Sequence, residues 1–169
     1  MKKDIRVKIL EIQRHANASV LMTVIPADGS MLPSIAPGQF VNIKVPDTDG
    51  VFLRRPISVC DVEENRLYLY IKPAGKGTMS LCSLKQGDEF DVLLPLGNSF
   101  TVAGEAGRFL LVGGGVGIAP LLYLGRVLRS KGSKVEFLLG GASKADLEMA
   151  DEFARYGDVH VTTVDGSMG

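Results

Sequence analysis

The chain has 169 residues, 46% of them hydrophobic, with 19 acidic and 19 basic side chains and no formal net charge. That length allows one large domain or two small ones, and the balanced charge gives no footprint for a nucleic acid or a membrane surface. No apolar run is long enough to span a bilayer, and Asp4, Arg6 and Lys8 interrupt what would be a signal peptide's apolar core, so the sequence reads as cytoplasmic.

The first hundred residues read as β structure. DIRVKILEIQ and ASVLMTVIP carry short alternating apolar positions, GQFVNIKVP adds Phe40, Val41, Ile43 and Val45, and RLYLYIKP alternates Leu67, Leu69 and Ile71 with Tyr68 and Tyr70. FLRRPISVC sets two arginines and a proline inside an apolar strand, and GDEFDVLLPLG closes the series. The turn-forming clusters PADGS, APGQ, PDTDG, AGKGT and LKQGD punctuate these runs, and Leu81 to Gln86 reads as a short helical turn before Gly87. Short strands at such intervals indicate a closed or nearly closed antiparallel barrel.

After TVAGEAGR the pattern changes. RFLLVGG is a continuous apolar strand, and IAPLLYLGRVLRSKG has a helical stripe of Leu121, Leu122, Leu124, Val127 and Leu128 that stops at Gly132. KVEFLLGG is a second buried strand, ADLEMADEFARYG a second helix and DVHVTTVDGS a third strand. Strands alternating with helices imply a parallel sheet with helical crossovers. The expected architecture is therefore a β-barrel plus α/β, divided as residues 1–103 and 104–169. The second part is short for such a domain, so the chain is expected to end mid-domain, with its C-terminal part missing.

Three segments carry candidate chemistry. In VGGGVGIAP, Gly113, Gly114, Gly115 and Gly117 lie where a strand gives way to a helix, with Pro120 near the first turn. Unpaired amides and a partial positive charge collect at such a junction, and glycines let a pyrophosphate approach. The spacing is not GxGxxG, and the next strand ends in Gly140-Gly141 without an acidic residue. Taken alone, the loop leaves phosphate binding and a tight structural turn equally open. Arg54-Arg55-Pro56 reads either as an inward arginine awaiting an anion or as a surface pair on an edge strand. AGKGTMS reads either as an anion nest near a helix start or as a plain loop. Together the three would suit two phosphate-bearing cofactors meeting between two domains.

The remaining conspicuous residues carry less. Cys60 and Cys82 lack metal-ligand spacing and read as buried thiols, and no metal ligand set is encoded. His15 and His160 are isolated and read as surface or strand positions. Tyr68 and Tyr70 fit simple strand alternation, Met149 and Phe153 fit a helix core, and Asp151, Glu152 and Arg155 fit a solvated helix face.

The segments LRRPISV, GKGTMSLCSLKQGDEFDVLLPLGNSF, LLVGGGVGIAPL and DGSMG, in this order and spacing, resemble the ferredoxin–NADP reductase superfamily. More narrowly they resemble the electron-transfer subunits of NAD-dependent dihydroorotate dehydrogenases. The resemblance implies an antiparallel FAD-binding barrel followed by a parallel-sheet domain for a nicotinamide dinucleotide. Arg55, Pro56, Ile57 and Ser58 would form the flavin motif, with Arg55 at the FAD pyrophosphate and Ser58 near the isoalloxazine edge. Ile57 would cover a flavin face where many members place a tyrosine. Ile71, Lys72 and Pro73 would run along the cofactor, and Gly77 and Thr78 would form the diphosphate nest. Gly113, Gly114, Gly115, Gly117 and Pro120 would receive NAD, with Asp165, Gly166 and Ser167 near its ribose.

The implied function is a flavoprotein subunit, an FAD-dependent NAD(P)H oxidoreductase component. It would relay electrons from dihydroorotate oxidation, through a partner's flavin and an iron–sulfur cluster, to NAD in pyrimidine biosynthesis. No side chain need act as acid or base. A catalytic dihydroorotate dehydrogenase subunit is the implied partner, in a heterotetramer. The family's cysteine-rich [2Fe–2S] segment has no counterpart here, so the cluster is expected only in the missing part, and the piece alone is expected to be inactive. The alternatives are a reductase subunit of another ferredoxin- or hydrogenase-linked oxidoreductase, and a non-catalytic assembly fragment.

Overall fold

In the first strand Val7 and Ile9 alternate with charged neighbours, and the same alternation recurs in each segment that follows. Such strands can bury one face only by curling into a shared interior. The computed structural model, which describes residues 2–46, 48–102 and 104–169, shows this curl completed. β1 (Lys3–Arg14), β2 (Val20–Pro26), β3 (Phe40–Ile43), β4 (Arg55–Glu63), β5 (Arg66–Ile71) and β6 (Glu89–Leu96) close into a barrel of order β1-β2-β5-β4-β3-β6, with antiparallel neighbours throughout. Val7, Ile9, Met22, Val24, Val41, Ile43, Leu67, Leu69 and Val92 fill it.

Three readings of this half are corrected. The strand expected over FLRRPISVC starts only at Arg55, and Phe52 is 94% exposed in the preceding loop. Nor is β4 a barrel edge. Over Arg55–Ser58 it pairs with β3, and its ladder with β5 begins at Val59. Pro56, which has no N–H to give, therefore sits where its second side has no ladder. The helical turn expected at Leu81–Gln86 is a true helix that begins earlier, α1 (Lys76–Ser83). Its start is held by the Thr78 hydroxyl, which accepts hydrogen bonds from the N–H groups of Ala74 at 2.8 Å and Gly75 at 3.1 Å.

In the second half β7 (Arg108–Gly114), β8 (Lys134–Gly141) and β9 (Asp158–Thr163) form a parallel sheet in that order. The glycine loop becomes a 3-10 turn over Gly115–Ile118 that runs into α2 (Ala119–Ser130), with Pro120 in its first turn. The helix expected over ADLEMADEFARYG is broken into a 3-10 turn, Lys144–Leu147, and a five-residue α3 (Ala150–Ala154). The break has a local cause. Asp146 turns its carboxylate back onto the N–H groups of Ala142 and Ser143, which favours a cap over a continuing helix. Leu111, Leu122, Leu128, Val135, Phe137, Leu139, Met149 and Phe153 form a second core, joined by Cys60 from β4. Ala103, at the expected division of the chain, lies outside the described residues. No helix is long and apolar enough to cross a membrane among the described residues.

α2 packs along β4 and fastens the sheet to the barrel. Arg126 grips Asp61 through Nε (3.0 and 3.1 Å) and Nη2 (2.7 Å), and the Tyr123 hydroxyl donates to the Ile35 carbonyl at 2.9 Å.

Candidate functional site

Arg54 and Arg55 are adjacent in sequence but are used differently. Arg54 spends its guanidinium on Asp4, at 3.1 and 2.7 Å, and on the Asn42 carbonyl. Among the described residues Arg55 makes no ion pair, and the side-chain hydrogen bond it forms is a 3.4 Å one to the neighbouring Arg54 carbonyl. It lies half-buried over the first turn of α1. A Cβ placed on Gly77 would stand 2.5 Å from the Arg55 Nε and 3.2 Å from its Cζ. Only glycine lets the guanidinium rest against this backbone.

The first intrahelical bond of that turn runs from the Met79 N–H to the Gly75 carbonyl, at 2.9 Å. The amides of Lys76, Gly77 and Thr78 therefore have no partner inside the helix. One free guanidinium and three free amides converge on the positive end of a helix dipole, an arrangement that fits a diphosphate. Thr78 contributes through its amide, because its hydroxyl is occupied in closing the turn. Pro56 and Ser58 are exposed; Ile57 is half-buried against the barrel core.

The glycine loop forms a second concave surface. Gly114, Gly115, Gly140, Gly141, Thr162 and Thr163 line an open cleft of about 370 Å³ at the C-terminal ends of the three parallel strands. Ligands of open parallel sheets bind at that end. Gly113 has a packing duty, since a Cβ there would meet Leu121 Cδ1 at 2.7 Å. Gly117 has nothing within 4 Å of its would-be Cβ, and Gly115 has φ +55°. The expected ribose loop is brought to the same end of the sheet. The Val164 N–H donates to Gly141, and the Asp165 N–H donates to Ala142. The Ser167 hydroxyl accepts from the Lys144 N–H at 2.8 Å and donates to Asp165 at 2.6 Å. These bonds from Ser167 hold the Asp165 carboxyl below its usual range.

Lys72 does not stand free beside the cradle. Its Nζ lies 2.6 Å from Asp146 Oδ1, which also accepts from Asn17 Nδ2 at 2.9 Å. Hydrogen bonds from Lys72 first and Asn17 second hold the Asp146 carboxyl at about 2. The position is thus a strap between the barrel and the sheet. His15, expected at a surface or strand position, directly follows β1 and is 7% exposed, edge-on to Tyr70, with Nδ1 3.1 Å from Glu148.

No protein-family model matches the chain. It is 38% identical over 168 residues, 96% of its length, to the electron transfer subunit of dihydroorotate dehydrogenase B (NAD(+)) from Shouchella clausii (strain KSM-K16), covering 62% of that protein. It is 37% identical over 169 residues, 98% of its length, to the subunit of the same name from Streptococcus pneumoniae (strain ATCC BAA-255 / R6), covering 66% of it. Among solved structures, the NADH-dependent reduced ferredoxin–NADP oxidoreductase superposes with a TM-score of 0.81 at 34% identity, over 96% of this chain and 58% of that one. The chain is thus similar to curated electron transfer subunits and, in structure, to members of the ferredoxin–NADP reductase superfamily. It spans less than two thirds of the length of the curated relatives it matches. The barrel and the parallel sheet are this superfamily's two architectural parts, as the resemblance implies.

For a ferredoxin–NADP reductase-like chain, what the sequence missed is the seam: Asp61 with Arg126, and Asp146 with Lys72 and Asn17. Only Asp146 left a local signal, the Ser143-x-x-Asp146 spacing of a capping box. Among the described residues no group of three or more His, Cys, Asp or Glu is placed to hold a metal ion. Cys60 sits in the core under α2 and Cys82 in the barrel core, so the two do not form a cluster site.

Proposed function

We propose that this chain is the flavin-binding part of an electron-transfer flavoprotein subunit, with a barrel over residues 1–103 for FAD and residues 104–169 for part of an NAD site. The observation that carries the proposal is the contact of the unpaired Arg55 guanidinium with Gly77, over three amides that lack partners. Arg55 and the amides of Lys76, Gly77 and Thr78 hold the diphosphate. Ile57 offers an aliphatic surface to one flavin face, and Ser58 offers its hydroxyl near the reactive edge. Gly114, Gly115, Gly117 and the Asp165–Ser167 turn receive the nicotinamide dinucleotide, while Gly113 and Pro120 set the loop's geometry. A bound flavin supplies exchange between two-electron and one-electron carriers. The protein's share is grip, orientation and exclusion of water, with no side chain acting as acid or base.

By homology the whole protein's partner is a catalytic dihydroorotate dehydrogenase subunit in a heterotetramer, and its setting is cytoplasmic pyrimidine biosynthesis. The [2Fe–2S] group of that relay finds no ligands among the described residues, so no step is assigned to it here. The test is reconstitution with FAD. A stoichiometric yellow complex whose visible bands differ from free FAD is the expected outcome. A colourless protein after reconstitution rejects the proposal. NADH-dependent dye reduction separates an active relay from an assembly role.

A further inference from the structure

One carboxylate stands between the two candidate cofactor sites, and its oxygens serve opposite sides of the seam. Asp146 is 6% exposed. Its Oδ1 accepts from Lys72 Nζ at 2.6 Å and from Asn17 Nδ2 at 2.9 Å, both in the barrel half. Its Oδ2 accepts from the N–H groups of Ala142 at 3.1 Å and Ser143 at 3.4 Å, just past the end of β8.

Each set of partners belongs to a connector that shapes one site. Lys72 follows β5 and opens the run 72–75, which leads directly into α1 and so into the diphosphate cradle. The far end of that run is held where the N–H groups of Ala74 and Gly75 donate to the Thr78 hydroxyl. Near its start, the Lys72–Asp146 ion pair ties it to the sheet half. On the other side, Ala142 lines the glycine cleft beside Gly140 and Gly141. Asp146 lies directly behind that wall, since a Cβ on Gly141 would stand 2.9 Å from the Asp146 Cβ. The Gly141 and Ala142 carbonyls in turn accept from the N–H groups of Val164 at 3.0 Å and Asp165 at 3.2 Å. The carboxylate that receives Lys72 therefore also fixes the backbone on which the Asp165–Ser167 turn hangs.

Neither connector is part of a ladder or a helix, so each keeps freedom that a ligand must remove on binding. Both are tied to one side chain. A ligand that orders one connector has already ordered part of the other, and the second ligand then loses less freedom. Such an effect is reciprocal by linkage.

We propose that Asp146, acting through Lys72, is a positioning residue that couples the two sites: a diphosphate on the first turn of α1 strengthens dinucleotide binding in the glycine cleft, and the reverse. The inference rests on the flavin reading above.

The test uses the whole isotopically labelled chain, with FAD for the cradle and NAD⁺ for the cleft. As FAD is added to the wild type, the amides of Ala142, Ser143 and Asp165 should move on the same curve as those of Lys76, Gly77 and Thr78. By calorimetry the FAD-loaded chain should bind NAD⁺ about fivefold more tightly than the FAD-free chain, the lower end of usual coupling between sites. Lys72→Met keeps an aliphatic stem and leaves Asp146 its bonds from Asn17, Ala142 and Ser143. In that variant the cradle amides should still move, the cleft amides should stay at rest, and the NAD⁺ enhancement should fall below roughly twofold. A merely structural role would lower stability and leave the enhancement intact. Cleft amides at rest in the wild type, NAD⁺ binding that FAD does not improve, or a wild-type enhancement in Lys72→Met overturns the proposal. The wild-type titrations decide the matter alone if Lys72→Met does not fold. Cradle amides unmoved by FAD reject the flavin reading itself and this inference with it, so the two failures are told apart.

Discussion

Replacing Gly77 with alanine should strengthen the fold and weaken the cofactor grip at once. The new Cβ would stand 2.5 Å from Arg55 Nε, 3.2 Å from Cζ and 3.3 Å from Cδ, and real carbon atoms do not approach so closely. The backbone has no need to move, because Gly77 is helical and the obstructing group is a flexible side chain. Arg55 swings away instead. Its charge-assisted hydrogen bonds to a diphosphate are worth about 1.5–3 kcal/mol, which at 1.4 kcal/mol per decade is roughly 10- to 100-fold in affinity. Meanwhile alanine suits a helix better than glycine by about 0.5–1 kcal/mol, or a melting-temperature gain of roughly 1–4 °C in the apoprotein. Quenching of FAD fluorescence on titration reads the first effect, and calorimetric melting reads the second. A folded Gly77→Ala protein that binds FAD within twofold of wild type would refute the reasoning, because the displaced arginine would then have had no ligand to lose.

Three further outcomes follow from the seam and the glycine loop. Arg126→Met should destabilise the protein by about 3 kcal/mol in urea unfolding, because it leaves the Asp61 carboxylate, 5% exposed, without its partner; a cost under 0.5 kcal/mol would show the pair to be ornamental. The folded Asp146 carboxyl sits at about 2, below its ordinary 3.8, so the stability it contributes is complete above pH 4 and is lost as pH falls toward 2. Asp146→Asn should therefore flatten the acid limb of the stability curve in that window, and an unchanged limb would contradict the strap. In the glycine loop, Gly113→Val should cost about 1–3 kcal/mol by overpacking against Leu121, whereas Gly117→Ala, with open space around it, should leave melting unchanged and weaken NADH binding. Equal losses of stability at both positions would argue for a purely structural turn.

The barrel was legible because most of its strands alternate buried and outward positions and its turns are marked by glycine, proline, asparagine and aspartate. Neither signal depends on distant contacts. The parallel half was legible for the same reason, down to the stop of α2 at Gly132, which takes φ +83°. What stayed hidden is what tertiary structure decides. AGKGTMS stays open between a plain loop and a nest near a helix start because Gly75 and Gly77 are poor helix formers, and the Thr78 cap and the Arg55 contact decide for the helix start. The ion pair of Lys72 stayed hidden because nothing local reveals that Asp146, 74 positions away, claims its Nζ. His15 looked isolated because Tyr70 and Glu148 reach it from other elements. The candidate site divides in the same way. The glycines and Arg55 could be found by eye, but the difference between the committed Arg54 and the uncommitted Arg55 needed the position of Asp4.

The account rests on a diphosphate lying on the first turn of α1. Amide chemical shifts of the isotopically labelled chain, followed as FAD is added, test this most directly. The account predicts that the Lys76, Gly77 and Thr78 amides and the Arg55 Nε–H move together and saturate at one equivalent. Saturation of the flavin signal with these four resonances unmoved would place the cofactor elsewhere and contradict it.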